Sequence, residues 1–182
     1  MTTHLALLRA VNVGGKSKLP MAELRTALED AGFERVRTYI QSGNILLDAP
    51  EGDRSALSQR ISALILKEFG VTSPAVIVTR DELALAVAGY PYSTDTPNDK
   101  LAHILFLADE PSAGRVASLD PDRSPGDQFQ VEGRVVYLHF ASGIGSSKLT
   151  NVWFDRQLGT VSTARNLRTC TTLLAMMDES NP

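Results

Sequence analysis

The hydrophobic positions of this chain change period several times, and each change marks an element. From His4 to Ala10 the residues are mostly apolar, the pattern of a central strand. Met21, Leu24, Leu28 and Ala31 then recur at helical spacing, after Pro20, which suits a helix start, and before Gly32, which suits its end. Val36, Thr38 and Ile40 alternate with Arg37, Tyr39 and Gln41 and predict a second strand. Ser42-Gly43 reads as a two-residue hairpin turn leading into a return strand from Asn44 to Asp48. Leu57, Ile61, Leu64 and Ile65 predict an amphipathic helix after Asp53, and Ala75 to Thr79 a fourth strand. Thr79-Arg80-Asp81-Glu82 is a capping box that opens a helix running to about Ala88.

The second half repeats the succession. Tyr90 to Lys100 is a polar linker or surface loop, Ala102 to Leu107 a strand, and Pro111 the opening of a short helix. Gln128–Val131 and Arg134–Phe140 flank Glu132-Gly133 as a hairpin. A helix ends at Gly159, a short strand fits Thr160 to Ser162, and a last helix from near Thr163 carries Leu167, Cys170, Leu174 and Met177 on one stripe. The expected fold class is α+β: a ferredoxin-like β-α-β-β-α-β subdomain over residues 1–80 and a second α+β subdomain over 81–182 with the C-terminal helix. The likeness between the halves is one of pattern, not of residues.

Two polar clusters interrupt this pattern. Arg9-Ala-Val-Asn-Val-Gly-Gly-Lys16 follows the first strand, and Gln41-Ser-Gly-Asn44 follows the second. In a ferredoxin-like sheet the first two strands are parallel with the third between them, so both clusters leave the same end, roughly 10 Å apart. Gly14 and Gly15 let backbone N–H groups approach a ligand, Arg9 suits a bidentate anion, and Lys16 supplies a mobile charge. Asn12, Gln41, Ser42, Gly43 and Asn44 complete the candidate set with neutral donors and acceptors. The competing reading is structural: Asn12, Gly14 and Gly43 serve turns, and Arg9 pairs with an acid.

Charge sharpens the first reading. Residues 1–22 hold Arg9, Lys16 and Lys18 and no acid, whereas residues 81–132 are strongly acidic, within a net charge of −3. Residues 133–177 are basic again, through Arg134, Lys148, Arg156, Arg165 and Arg168. The balance disfavours indiscriminate nucleic-acid binding. Gly143-Ile-Gly-Ser-Ser-Lys148 superficially resembles a phosphate loop but lacks the G-x-x-x-x-G-K-[ST] spacing; it reads equally as a loop with Ser146 or Ser147 capping the following helix. Lys148 joins Arg9 and Lys16 as a candidate anion ligand, and Arg165 and Asn166 join the set if the C-terminal helix docks over the same face; cations at a helix start need a negative partner, either a ligand or a protein acid. His4, His103 and His139 show no metal-binding spacing, and Cys170 lies on an apolar helix face. One cysteine, no leader-like segment and no long apolar run favour the cytoplasm and no membrane span.

At these residues the chain resembles the bacterial DUF1697 family. The resemblance rests on Leu7 to Lys16, Met21 to Leu24, Arg37 to Asn44, Ser147 to Asn151 and Thr163 to Asn166, and spans essentially the whole chain. One departure is Ala10, where the family commonly has Gly. The resemblance implies a two-part α+β fold with a ferredoxin-like portion; it implies no reaction and no catalytic residue. The expectation is a protein that binds a small phosphate- or carboxylate-bearing molecule, with cofactor, catalysis and oligomeric state unassigned. The alternatives are a single-stranded nucleic-acid binder, disfavoured because Tyr39 is the one aromatic on the first three strands, and an interaction module using Trp153 and Phe154.

Overall fold

A computed structural model describes residues 1–14, 17–50, 52–92 and 100–179. Gly15 and Lys16, and most of the expected Tyr90–Lys100 loop, lie outside the described residues. The fold is α+β, with two four-stranded antiparallel sheets. The chain groups into two compact units, residues 1–82 with those from Ala175 onward, and Leu83–Leu174.

The first unit runs β1 (Thr2–Leu8), α1 (Met21–Asp30), β2 (Glu34–Tyr39), β3 (Asn44–Ala49), α2 (Arg54–Phe69) and β4 (Ala75–Thr79). Its sheet has the order β2-β3-β1-β4, so the apolar strand β1 is central, as its sequence requires. Asp53 caps α2 by accepting from the Ser55 N–H, and Gly70 closes it in the left-handed region at φ 65°. The Thr79 capping box forms in both directions: the Thr79 N–H donates to the Glu82 carboxylate (2.9 Å), and the Glu82 N–H donates to Thr79 Oγ1 (3.3 Å). Ala6 and Leu8 of β1 pack with Ile45 and Leu47 of β3 against Leu24 and Leu28 of α1 and Ile61 and Ile65 of α2. Burying each of these leucine and isoleucine side chains contributes about 1.5–3 kcal/mol. The alternate residues Leu5, Leu7, Leu46, Val76 and Val78 are buried too, so the central strands are covered on both faces.

Two irregularities in β2 have local causes. A bulge between Glu34 and Arg37 leaves Arg35 at φ 48° and directs its guanidinium to Asp48, whose other oxygen accepts from Thr3 Oγ1 (2.8 Å). Arg37 Nη2 donates to the carbonyl of Met176 (2.7 Å). The hairpin expected at Ser42-Gly43 is instead a four-residue connection, Ile40–Gly43, because Tyr39 pairs directly with Asn44.

The second unit contains β5 (Ala102–Leu107), α4 (Ala113–Ala117), β6 (Gln128–Glu132), β7 (Val135–His139), α5 (Asn151–Leu158) and β8 (Ser162–Asn166), and the division falls inside α3 (Arg80–Ala88) and α6 (Leu167–Asp178). Its sheet order, β6-β7-β5-β8, reproduces that of the first unit strand for strand. Leu105, Leu107, Val136, Leu138 and Phe140 pack with Phe154 and Leu158 of α5, and Trp153 meets Phe129 and Phe154 edge-on.

Three expectations are corrected here. The last helix begins at Leu167, not near Thr163, because residues 162–166 pair with β5 as β8; ladder hydrogen bonds and burial outweigh the helical pattern. The short helix opens after Ser112, which accepts from the Arg115 N–H, rather than at Pro111. Thr150, not Ser146 or Ser147, caps α5 by accepting from the Trp153 N–H, because a 3-10 turn occupies Ile144–Ser146.

Candidate functional site

β1 and β2 finish, and β3 and β4 begin, at one end of the first sheet. Three connections meet there: residues 9–20, the turn Ile40–Gly43, and residues 70–74. The Leu8 N–H donates to the Gly43 carbonyl (2.8 Å). The Arg9 N–H donates to the Pro74 carbonyl (3.1 Å), and the Arg9 carbonyl accepts from Ser73 Oγ (2.8 Å). Arg9 is thus anchored by its backbone to β4's lead-in, and the residue is half-buried.

Asn12 clasps the two polar clusters together. Its Nδ2 donates to the carbonyls of Leu19 (2.9 Å) and Gln41 (2.7 Å), and its Oδ1 accepts from the Leu19 N–H (2.8 Å). Its own N–H donates to the Ser17 carbonyl (3.1 Å), which closes the loop on itself. Asn44, fully buried, donates from Nδ2 to the Tyr39 carbonyl (3.0 Å) and Ser42 Oγ (2.9 Å), fixing the turn from beneath. Gly43 has φ 77°, and a Cβ there would lie 2.6 Å from Val11 Cγ2. Asn12, Gly43 and Asn44 therefore build the end of the sheet. Gln41 is exposed, Ser42 half-buried, and Gly14, at φ 60°, stands clear with nothing within 4 Å of a notional Cβ. The positive end of α1 follows the connection at this same end, and its N-cap residue, Pro20, makes no side-chain cap hydrogen bond.

Backbone strain is concentrated here. Among the described residues, five non-glycine residues have positive φ, all in the first unit: Ala10, Asn12, Ser17, Arg35 and Ile40. The bulge accounts for Arg35; the other four sit in the connections at this end. An L-residue in this region costs about 1–2 kcal/mol, more easily borne by Asn than by a β-branched residue such as Ile40. Ala10, at φ 55°, shows why glycine suits that position.

The second unit provides an internal comparison. The Leu107 N–H donates to the Arg134 carbonyl (2.9 Å) and the Ala108 N–H to the Val161 carbonyl (2.8 Å), matching the Leu8 and Arg9 bonds of the first unit. Yet its hairpin is closed by Gly133-Arg134 alone, and residues 108–112 suffice where the first unit uses 9–20. The architecture does not itself demand the long loop, the wider turn or left-handed residues other than glycine.

Lys148, Arg165 and Asn166 belong to the second unit, at or beyond the opposite part of its sheet from that equivalent end. Lys148 is exposed, with its N–H donating to Ser124 Oγ (3.1 Å). Arg165 is buried on β8, donating from Nη1 to Thr163 Oγ1 (2.9 Å) and the Ala164 carbonyl (2.8 Å), and burial pushes its pKa down to about 10. Asn166 Oδ1 accepts from the Thr169 N–H (2.7 Å) and so caps α6. Burial pushes the Cys170 thiol up to about 12 against the opposing pull of Arg165, so it is core and not a nucleophile at neutral pH. Among the described residues, no group of His, Cys, Asp and Glu could hold a metal ion, and no helix is long and apolar enough to cross a membrane.

The phosphate-loop-like segment is tied down by Asp127. Burial acts to raise its pKa, but hydrogen bonds from Ser124 (2.6 Å), Ser147 and the Ala141 N–H (2.8 Å), with the field of His139, hold the carboxyl below its usual range. A depressed folded-state pKa gives stability that is complete above the unfolded value and lost as pH falls through the folded one. Asp127→Asn should cost about 1–2 kcal/mol at pH 7, discounted for partial exposure, and the gap to wild type should close as pH falls below about 4. Urea denaturation at pH 7, 5 and 3 measures this; a gap independent of pH would refute it.

Fold and site together define an α+β protein that uses one strand order twice and elaborates the loop end of the first copy. The chain belongs to the DUF1697 family, described as protein of unknown function, whose model matches residues 1–137. It is also similar in fold to the conserved bacterial protein SP0830 from Streptococcus pneumoniae, with a TM-score of 0.71 at 22% identity over 97% of this chain and 98% of that one. No curated protein matches the chain.

Sequence reasoning missed Ser73 and Ile40 as participants at this end. Ser73 acts through a backbone carbonyl, which leaves no pattern. Ile40 reads as the end of a strand, and only its backbone angle sets it apart.

Proposed function

We propose that the protein binds a small molecule through a phosphate or carboxylate group at the loop end of the first sheet. The observation that carries this reading is the internal comparison: the same strand order is closed cheaply in the second unit, whereas the first adds loop length and four strained residues around Arg9 and Lys18. Strain kept where the fold does not need it is characteristic of ligand sites. An acid-free stretch from Met1 to Ala22 and the uncapped start of α1 give that end a positive field. Lys16, by sequence, adds a third base to the same loop. Arg9 supplies the fork that suits a carboxylate or phosphate, and Gln41 and Ser42 orient the remainder. The burial of both faces of the central strands argues against a base-stacking platform. A lone buried thiol suits the reducing cytoplasm.

The test is thermal denaturation against nucleotides, sugar phosphates and carboxylates. A ligand at 100 times its Kd adds about 2.7 kcal/mol, or a rise of about 5–10 °C for a chain of this size. Arg9→Ala and Lys16→Ala should abolish most of that rise. Stabilisation that persists in both variants overturns the assignment.

A further inference from the structure

We propose that the ligand of this end is amphipathic: an anionic group joined to an aliphatic or aromatic body, with Ile40 and Val13 making the apolar contact. The inference rests on the anion reading above and adds the part of the ligand that cations do not recognise.

Ile40 carries two costs at once. It sits at φ 49°, where a β-branched side chain crowds its own backbone, and the side chain is 50% exposed. Glycine or asparagine would relieve the strain, and burial would normally offset it; here neither holds. Val13, in the connection of residues 9–20, is 65% exposed. Isolated exposed apolar residues are ordinary and need no explanation. These two are not isolated, because Val13 follows Asn12, Ile40 precedes Gln41, and Asn12 Nδ2 donates to the Gln41 carbonyl at 2.7 Å. The clasp joins the two segments at the residues next to their exposed apolar side chains.

Charge supplies the complementary half. Arg9 and the exposed Lys18 belong to the same loop as Val13, within a stretch that has no acid. A bare inorganic anion would use the cations and leave the apolar pair without purpose. A ligand with a charged head and an apolar body uses both, and removal of its body and of two apolar side chains from water favours binding.

Calorimetric titration of the full chain with two pairs of probes tests this: inorganic phosphate with phenyl phosphate, and acetate with hexanoate. The apolar-bearing member of at least one pair should bind about tenfold more tightly. Ile40→Asn, which relieves strain and should not lower the melting temperature, should reduce that ratio to about threefold or less, as should Val13→Ser. Arg9→Ala should weaken both members of the pair. Equal affinities within each wild-type pair, or a ratio unchanged in both apolar variants, overturn the amphipathic assignment while the anion reading stands. Failure of all four probes to bind overturns both. Concentration-dependent self-association in sedimentation that disappears in Ile40→Asn would assign the apolar pair to a contact between copies and overturn the proposal.

Discussion

Gly43→Ala should lower the stability of the protein by about 3–4 kcal/mol, seen as a shift in the denaturation midpoint without a change in slope. Two separate penalties combine. Alanine at φ 77° suffers the left-handed crowding that costs about 1–2 kcal/mol. The added methyl would also lie 2.6 Å from Val11 Cγ2 and 2.7 Å from Leu8 Cβ. Leu8 and Val11 are 0% and 2% exposed, so neither can swing aside into solvent, and overpacking of this kind costs about 1–3 kcal/mol. Gly14→Ala is the control: its φ is 60°, but nothing lies within 4 Å of the new methyl. It should show the first penalty alone, about 1 kcal/mol. Equal losses in the two variants would refute the close seating of the turn on the end of β1.

Asn12→Ala should cost about 2–3 kcal/mol, because one side chain serves three backbone groups. The Leu19 N–H, the Leu19 carbonyl and the Gln41 carbonyl all lose a partner, though partial exposure lets water replace some of the bonding. The more telling variant is Asn12→Asp. A carboxylate still accepts from the Leu19 N–H, but it faces two carbonyl oxygens where an amide donated. The charged form should therefore be at least as destabilised as the alanine variant. Protonation restores one donor, and the two carbonyls favour the neutral acid in the folded state, so Asn12→Asp should recover part of its loss as pH falls toward about 4, with no further gain below it, relative to Asn12→Ala at the same pH. Paired denaturation curves at pH 7 and pH 3 decide it; a gap between the variants that is insensitive to pH would refute the assigned donor roles. Loss of the clasp should also weaken anion binding at the proposed site, since the turn carrying Gln41 and Ser42 is then held by Asn44 and Gly43 alone.

Much of the architecture was legible because local chemistry and burial agree. The apolar run of β1 announced a central strand, Asp53 and Gly70 bracketed α2, and the Thr79–Glu82 reciprocity was written in four residues. The halves repeat a pattern without repeating residues, and both prove to share a strand order. Where the chain misled, tertiary pairing decided the outcome. Arg165 and Asn166 looked like the first turn of a helix, but the ladder with Ile104 and His103 makes them strand. The Ile40–Gly43 turn hid because nothing in an isoleucine foretells a left-handed backbone. At the candidate site, residue types indicated one end of one sheet, and the structure brings Asn12 and Gln41 of the two clusters together there. They could not show which residues build that end: Asn12, Gly43 and Asn44 hold it together through hydrogen bonds and packing that no sequence pattern displays.

The bond from Arg37 to the carbonyl of Met176 has a consequence for biosynthesis. A nascent chain emerging from the ribosome can assemble β1 through β4 early, since amino-terminal segments are made first. The edge strand must then wait until Met176, 139 residues further along, has been made before its arginine finds that acceptor. Completion of the first unit is therefore deferred until α6 is made, and a chain truncated before α6 leaves that earlier-made unit unfinished.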